Sequence, residues 1–193
     1  ELPPKTEQVL QIPLTATQRE LYDQVLALSK QRVLDSINQK GLKGSTVTIL
    51  DALLKLRQAA CHPDLVKLDI AREYSESSKH DMLHQILTEA IAEDHRALVF
   101  SQFTSHLAIL RKWLDEQGIE YLYLDGRTKK RQDLVKRFNS KKGPPLFLIS
   151  LKAGGTGLNL AAADYVVHMD PWWNPAVEAQ ATDRAHRIGQ TRP

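Results

Sequence analysis

Gln180, Arg184 and Arg187 follow one another at i, i+4 and i+7, a spacing that puts all three side chains on one face of a helix. Arginine is permanently charged and carries a planar fork, so two of them beside an amide suit charge developing on a transferred phosphoryl group across an interface. The plainer reading is local pairing, with Glu178 or Asp183 neutralising the arginines at the helix surface. Further candidates come after short apolar runs. Ser101-Gln102-Phe103-Thr104 offers a hydroxyl and backbone N–H groups where a strand turns into a helix, suited to a phosphate or to a simple N-cap. Asp125-Gly126-Arg127-Thr128 combines a glycine, a cation and a capping residue. In Ser150-Leu151-Lys152-Ala153-Gly154-Gly155-Thr156-Gly157-Leu158-Asn159, three glycines in four residues let backbone approach an anion or another domain closely. That loop lacks the dinucleotide-binding spacing, and no GxxxxGK[ST] string occurs anywhere, so the chain has no P-loop of its own.

Net charge sharpens the picture only when mapped. The chain carries +3 overall, yet Gly126 to Lys152 holds nine Lys/Arg against the single acid Asp133, a net +8, and the remainder nets −5. Such asymmetry points to a polyanionic partner, or to a solvated lysine-rich face. His62, His168 and His186 are not at metal-ligand spacing, and no metal site is expected. Cys61 is the only cysteine, which excludes an internal disulfide or multi-cysteine metal site; it is expected to be a buried thiol. No apolar run approaches the roughly 18 residues that a membrane span needs. With no initiator Met and an end just after a helical pattern, the chain is expected to be a piece of an intracellular protein.

Two regimes of patterning must position these groups. Residues 1–76 read as helical: Thr15 or Thr17 caps a helix carrying Leu21, Val25, Leu28, Val33 and Ile37, Gly41 and Gly44 break it, and a second helix ends near His62-Pro63. This appendage has too few apolar residues for an independent core. Residues 77–193 alternate amphipathic helices with short strands at Ala97–Phe100, Tyr121–Leu124, Leu146–Ile149 and Tyr165–Met169. Helices are expected from Ser77 or Ser78, over Thr104–Gln117 with Gly118 as C-cap, over Lys129–Asn139, and from Pro175 onward. The alternation predicts a parallel α/β sheet with helices on both faces and ligands at the carboxyl ends of the strands. Trp172 and Trp173, between prolines, read as packing residues.

The strings Phe100-Ser101-Gln102-Phe103, Leu124 to Thr128, Ala153 to Leu160, Trp173-Asn174-Pro175 and Gln180 to Gln190 occur in an order that resembles motifs IV, IVa, V and VI of Swi/Snf-type DNA translocases in helicase superfamily two. Leu2-Pro3-Pro4-Lys5 and Leu56 to Pro63 resemble that family's protrusion and linker, so the resemblance covers essentially the whole chain. It implies a second RecA-like lobe, truncated at its C-terminal end, because family members continue into another strand and a bracing helix. It also implies ATP with Mg²⁺, held mainly by a first lobe carrying the Walker motifs that this sequence lacks. By the same resemblance, Arg184 and Arg187 act as arginine fingers with Gln180 beside them. Gly155, Gly157 and Asn159 lie on the nucleotide side, and Gly154, Gly155 and Gly157 couple the DNA and ATP sites. Ser101, Gln102, Gly126, Arg127, Thr128, Lys152 and Thr156 grip the phosphates of double-stranded DNA. The expected partners are duplex DNA and the N-terminal lobe of the same protein, and the piece by itself is expected to be monomeric and inactive. The family moves along duplex DNA without separating its strands. Short loops such as Lys141 to Pro145 suggest a bacterial or archaeal source. Two other readings remain at this level: a non-catalytic nucleic-acid-binding or docking module on the same fold, and a small-molecule enzyme built on the glycine loop, which has no paired acid and base to recommend it.

Overall fold

The computed structural model describes residues 3–153, 157–187 and 190. The chain divides into two compact units: Glu1–Leu10 together with Leu83–Pro193, and Gln11–Met82. The division falls at Met82 rather than at 76/77, because the helix beginning at Ser78 runs from one unit into the other. Residues 3–10 belong with the sheet-bearing unit rather than with the helices that come after them.

That unit is an α/β sandwich. Four strands, β1 (Ala97–Ser101), β2 (Tyr121–Leu124), β3 (Leu146–Ser150) and β4 (Tyr165–His168), form one parallel sheet in the order β2-β3-β1-β4. The uniformly apolar runs of β1 and β3 are buried along their whole length because both strands are central. β2 lies at an edge and alternates, with Leu122 and Leu124 buried and Tyr121 and Tyr123 half-buried. One face of the sheet packs Leu83 and Leu87 of α3 (Ser78–Ala92) and Leu107, Leu110 and Leu114 of α4 (Thr104–Glu116) on Ala97, Val99, Leu146 and Leu148. The other packs Val135 and Phe138 of α5 (Arg131–Asn139) and Ala181 of α6 (Pro175–Thr182) on Leu98, Phe100, Phe147 and Ile149. This is the parallel sheet with helices on both faces that the patterning predicts. Asn174 caps α6 by accepting from Ala176 N, with Pro175 in its first turn. Gly118 has φ +66°, the left-handed residue expected after α4. At the amino ends of the strands Arg96 donates to the carbonyls of Phe138, Ser140 and Lys141, closing the end of α5.

Strand order decides where a ligand can enter. From β1 the chain moves toward the β2 edge, and from β3 it crosses to β4 at the opposite edge. Connections diverging from adjacent strands open a crevice at their carboxyl ends.

The helical unit pairs α1 (Ala16–Gly44) with α2 (Thr46–Cys61), and 3₁₀ turns at Pro63–Leu65 and Asp69–Glu73 come next. Thr15 caps α1, its hydroxyl accepting from Gln18 N at 3.1 Å, and Gly41 interrupts the helix with φ 70°. Leu21, Val25, Ala59, Val66 and Ala71 form a buried cluster, backed by Tyr22, Leu56, Leu68, Ile70 and Tyr74. The appendage thus has a small core after all, half of it supplied by Val66, Leu68, Ile70, Ala71 and Tyr74 in and around the 3₁₀ turns, which periodicity does not register. Cys61, the last residue of α2, is buried, as expected. Among the described residues no helix is long and apolar enough to cross a membrane.

Candidate functional site

The residues singled out in the sequence come after β1, β2 and β3 or lie at the end of α6, all in the sheet-bearing unit. At the β1–α4 turn Ser101 is fully buried. Its hydroxyl donates to Asp170 Oδ1 and accepts from Phe103 N at 3.1 Å. Gln102 N donates to Asp170 Oδ2 at 3.0 Å, and His106 Nδ1 lies 3.3 Å from Oδ1. Asp170, just beyond β4 and 1% exposed, therefore holds the whole turn. Burial pushes its carboxyl up, but hydrogen bonds from His106, Ser101 and the Gln102 N–H more than offset that and keep it below the usual carboxylate range. The Ser101 hydroxyl faces inward, so its expected grip on a phosphate gives way to a structural role. Gln102 keeps a donor in hand: its Nε2 is buried without a hydrogen-bond partner. Sequence reading missed Asp170, whose partners are 64 to 69 positions away.

After β2 the chain folds on Asp125. Arg127 N donates to Oδ1 at 2.9 Å, Tyr123 Oη donates to Oδ2 at 3.1 Å, and Thr128 Oγ1 both donates to Oδ1 and accepts from Asp125 N. The Arg127 N–H, with Tyr123 and Thr128, holds the Asp125 carboxyl below its ordinary range against the effect of partial burial. The result is a self-closed turn that leaves Gly126 and Arg127 exposed, while the Thr128 hydroxyl is already engaged. Lys129 and Lys130 precede α5, which begins two residues later than the pattern suggests.

The β3–β4 crossover carries Lys152, exposed, and Ala153, buried. Gly154, Gly155 and Thr156 lie outside the described residues. Gly157 has φ +102°, a conformation closed to side-chain-bearing residues without strain. Both ends of α5 hold this crossover. Arg131 Nη1 donates to Ala153 O at 2.9 Å while its Nε donates to Thr128 O at 3.2 Å. Asn139 Nδ2 donates to Asn159 O at 2.8 Å, and its Oδ1 accepts from Ala162 N at 3.2 Å. The Asn159 residue itself is exposed.

The arginine segment departs most from expectation. α6 stops at Thr182, so only Gln180 of the three is helical, and Gln180, Arg184 and Arg187 do not share one helix face. Arg184 N and Ala185 N take i−3 carbonyls, and the Arg184 carbonyl accepts from Leu160 N at 3.0 Å. Gln180 and Arg187 are exposed, and Arg187 Nε donates to Asp183 O at 2.9 Å. Arg184 is 5% exposed, its guanidinium carbon 5.6 Å from the centroid of the Phe100 ring. Its Nη1 is buried without a hydrogen-bond partner. Burial, and then the neighbouring charge of Arg187, pull its pKa below the ordinary value. Neither arginine pairs with a carboxylate among the described residues, which disfavours the local-pairing reading. His186 Nε2 donates to Pro3 O at 2.9 Å, a packing contact. Trp173, expected in packing, is 79% exposed, and Glu178 accepts from Trp172 N. Among the described residues no three His, Cys, Asp or Glu side chains are grouped to hold a metal ion.

The chain matches the helicase conserved C-terminal domain over residues 78–189 and the SNF2-related domain over residues 1–65. It is 39% identical over its whole length to an uncharacterized ATP-dependent helicase of Mycoplasma genitalium, covering 18% of that protein. It is 37% identical, again over its whole length, to the SWI/SNF-related matrix-associated actin-dependent regulator of chromatin subfamily A member 1 of Homo sapiens, covering 19% of it. The chain thus spans about a fifth of the curated relatives it matches. Among solved structures it resembles the C-terminal part of the Fun30 ATPase domain, with TM-score 0.79 and 26% identity over 100% of this chain and 84% of that one. It also resembles the Sulfolobus solfataricus SWI2/SNF2 ATPase core in complex with dsDNA, with TM-score 0.73 and 33% identity over 94% of this chain and 37% of that one.

Proposed function

Because the chain belongs to the helicase C-terminal domain family in its Snf2-type form, we propose that it is the second motor lobe of an ATP-dependent translocase on double-stranded DNA, inactive without the lobe that precedes it. The observation that carries this reading is the arginine segment. A buried guanidinium with an unpartnered donor at Arg184 and an exposed fork at Arg187 fit an anion better than any group within the described residues. That donor set fits a nucleoside triphosphate, whose γ-phosphoryl transfer supplies the free energy of the cycle. Arg187 and Gln180 reach it from the exposed side when the two lobes close, and Arg184 presents its free Nη1. The phosphate cradle and the Mg²⁺ ligands are assigned to the preceding lobe. Support for ATP use comes from relatives named ATP-dependent helicases, and support for duplex DNA from the solved core that contains it.

On the DNA side the exposed Arg127 and Lys152 and the open backbone at Gly126 meet phosphate oxygens. Such contacts position the duplex without reading its sequence. The working location is wherever the cell keeps duplex DNA. The test is DNA-stimulated ATP hydrolysis by the full-length protein and its Arg187→Ala variant. Turnover should fall by roughly 10³ or more, the scale of arginine fingers elsewhere. Near-normal turnover would refute the finger and leave the docking-module reading in its place.

A further inference from the structure

Nine basic residues between Gly126 and Lys152 read as one polyanion-binding patch, but Arg131 is spent differently. It opens α5 and is half-buried, with both of its described hydrogen bonds going to backbone carbonyls inside the protein. Those carbonyls belong to two different loops. Thr128 O ends the self-closed turn after β2, and Ala153 O lies in the crossover after β3, beyond neighbouring parallel strands paired through Leu124 and Ile149. Each loop carries an exposed cation, Arg127 on the first and Lys152 on the second.

From this geometry we infer that Arg131 is a positioning residue, a latch that sets the spacing of Arg127 and Lys152 so that both meet one phosphate backbone. The inference rests on the DNA-binding reading above. The turn after β2 is rigid on its own account, because Asp125 ties it to Arg127 N and Thr128. The far end of the crossover is held by Asn139. What neither tie fixes is the near end of the crossover against the turn, and the described bonds that do so come from the Arg131 fork. A lysine has the charge but not two donors in a fixed plane, and cannot serve both carbonyls in the same way. Arg131 is also held out of the DNA-facing set by these bonds, so its charge should not count among the phosphates neutralised.

The test is duplex-DNA binding by the full-length protein, read by fluorescence anisotropy over a series of salt concentrations, with melting temperatures alongside. The variants are Arg131→Ala, Arg131→Lys, Arg127→Ala, Lys152→Ala and Arg131→Ala with Lys152→Ala. Arg131→Ala and Arg131→Lys should each weaken binding by about tenfold, the scale of losing one hydrogen bond to a charged phosphate once Lys152 is no longer held beside Arg127. Lys152→Ala should cost much less in the Arg131→Ala background than alone, because a mispositioned lysine has little left to lose. Three outcomes overturn the latch: wild-type affinity in Arg131→Lys, which means a simple phosphate contact; additive losses in the double variant; or a lowered melting temperature with wild-type affinity in both single Arg131 variants, which means a purely structural role. If Arg127→Ala and Lys152→Ala both leave affinity and salt slope unchanged, the DNA-binding reading has failed instead, whatever Arg131 does.

Discussion

Replacing Arg184 by methionine should leave the lobe about as stable as before, or more so, while abolishing turnover. Arg184 is 5% exposed and leaves Nη1 unpartnered. An unsatisfied buried donor costs about 1–3 kcal/mol, so its removal returns that amount to the folded state. Against this stands the contact with the Phe100 ring at 5.6 Å, worth about 0.5–2 kcal/mol when desolvated. Methionine is unbranched and apolar and fills much of the same space, so little is lost to a cavity. The balance lies between about −1 and +2.5 kcal/mol in favour of the variant, a melting temperature from a few degrees below wild type to several degrees above it. If Nη1 meets the phosphate only when the lobes close, the same variant loses roughly 10³-fold or more in DNA-stimulated ATP hydrolysis. Calorimetry and a coupled ATPase assay on the full-length protein measure both quantities. A stability loss of about 3 kcal/mol or more would show that Arg184 is a core residue first, and normal turnover would show that its unpartnered donor has no ligand.

Asp170→Asn should destabilise the lobe by about 2–4 kcal/mol in urea, since one buried carboxylate serves three donors and an amide cannot accept from all of them. Because the Asp170 carboxyl is held low, its stabilisation is complete above the unfolded carboxylate pKa of about 4 and fades as pH falls through the folded value; the variant should have the flatter acid limb, and an unchanged limb would contradict the network. His168 is held neutral by burial, its Nε2 3.1 Å from Thr182 Oγ1, with Glu178, Asp170 and Glu7 opposing the shift. Its contribution is full above about pH 6.5 and declines below it, so stability should drop between about pH 7 and 5 in the wild type and less in His168→Gln; equal slopes would exclude this residue. The 193-residue chain alone should show no ATP hydrolysis with or without duplex DNA, and robust turnover by it would overturn the half-site reading.

The sheet and its flanking helices were readable because each rests on local pattern. Apolar runs such as Leu146–Ser150 can only be central strands, and Leu107, Leu110 and Leu114 repeat at helical spacing. The same rule failed for Arg184 and Arg187. Periodicity continues a helix as long as residue types allow, but here a distant backbone group decides: Leu160 N takes the Arg184 carbonyl, and the last bonds shorten to i−3. Asp170 was invisible for a related reason. A lone aspartate before a proline has no local signature, and its meaning comes from the parallel pairing of β1 with β4 that brings Ser101 alongside it. The basic segment was legible as charge, but not as division of labour. Only the folded arrangement separates Arg131, turned inward, from Arg127 and Lys152, turned out.

Residues 3–10 fold with 83–190, although the whole of Gln11–Met82 comes between. His186 meets Pro3 across 183 positions of sequence, nearly the span of the chain. During synthesis residues 3–10 leave the ribosome well before their partner, and cannot take their place until α6 and the turn beyond it have emerged. The helical unit, whose caps and core lie wholly within 11–82, has every partner it needs much earlier. Contacts of such long separation are the slow ones to close. Within this stretch the helical unit is thus assembled first and the sheet-bearing unit last, so a product stalled before α6 would hold its helices and leave residues 3–10 without their partner and open to proteases.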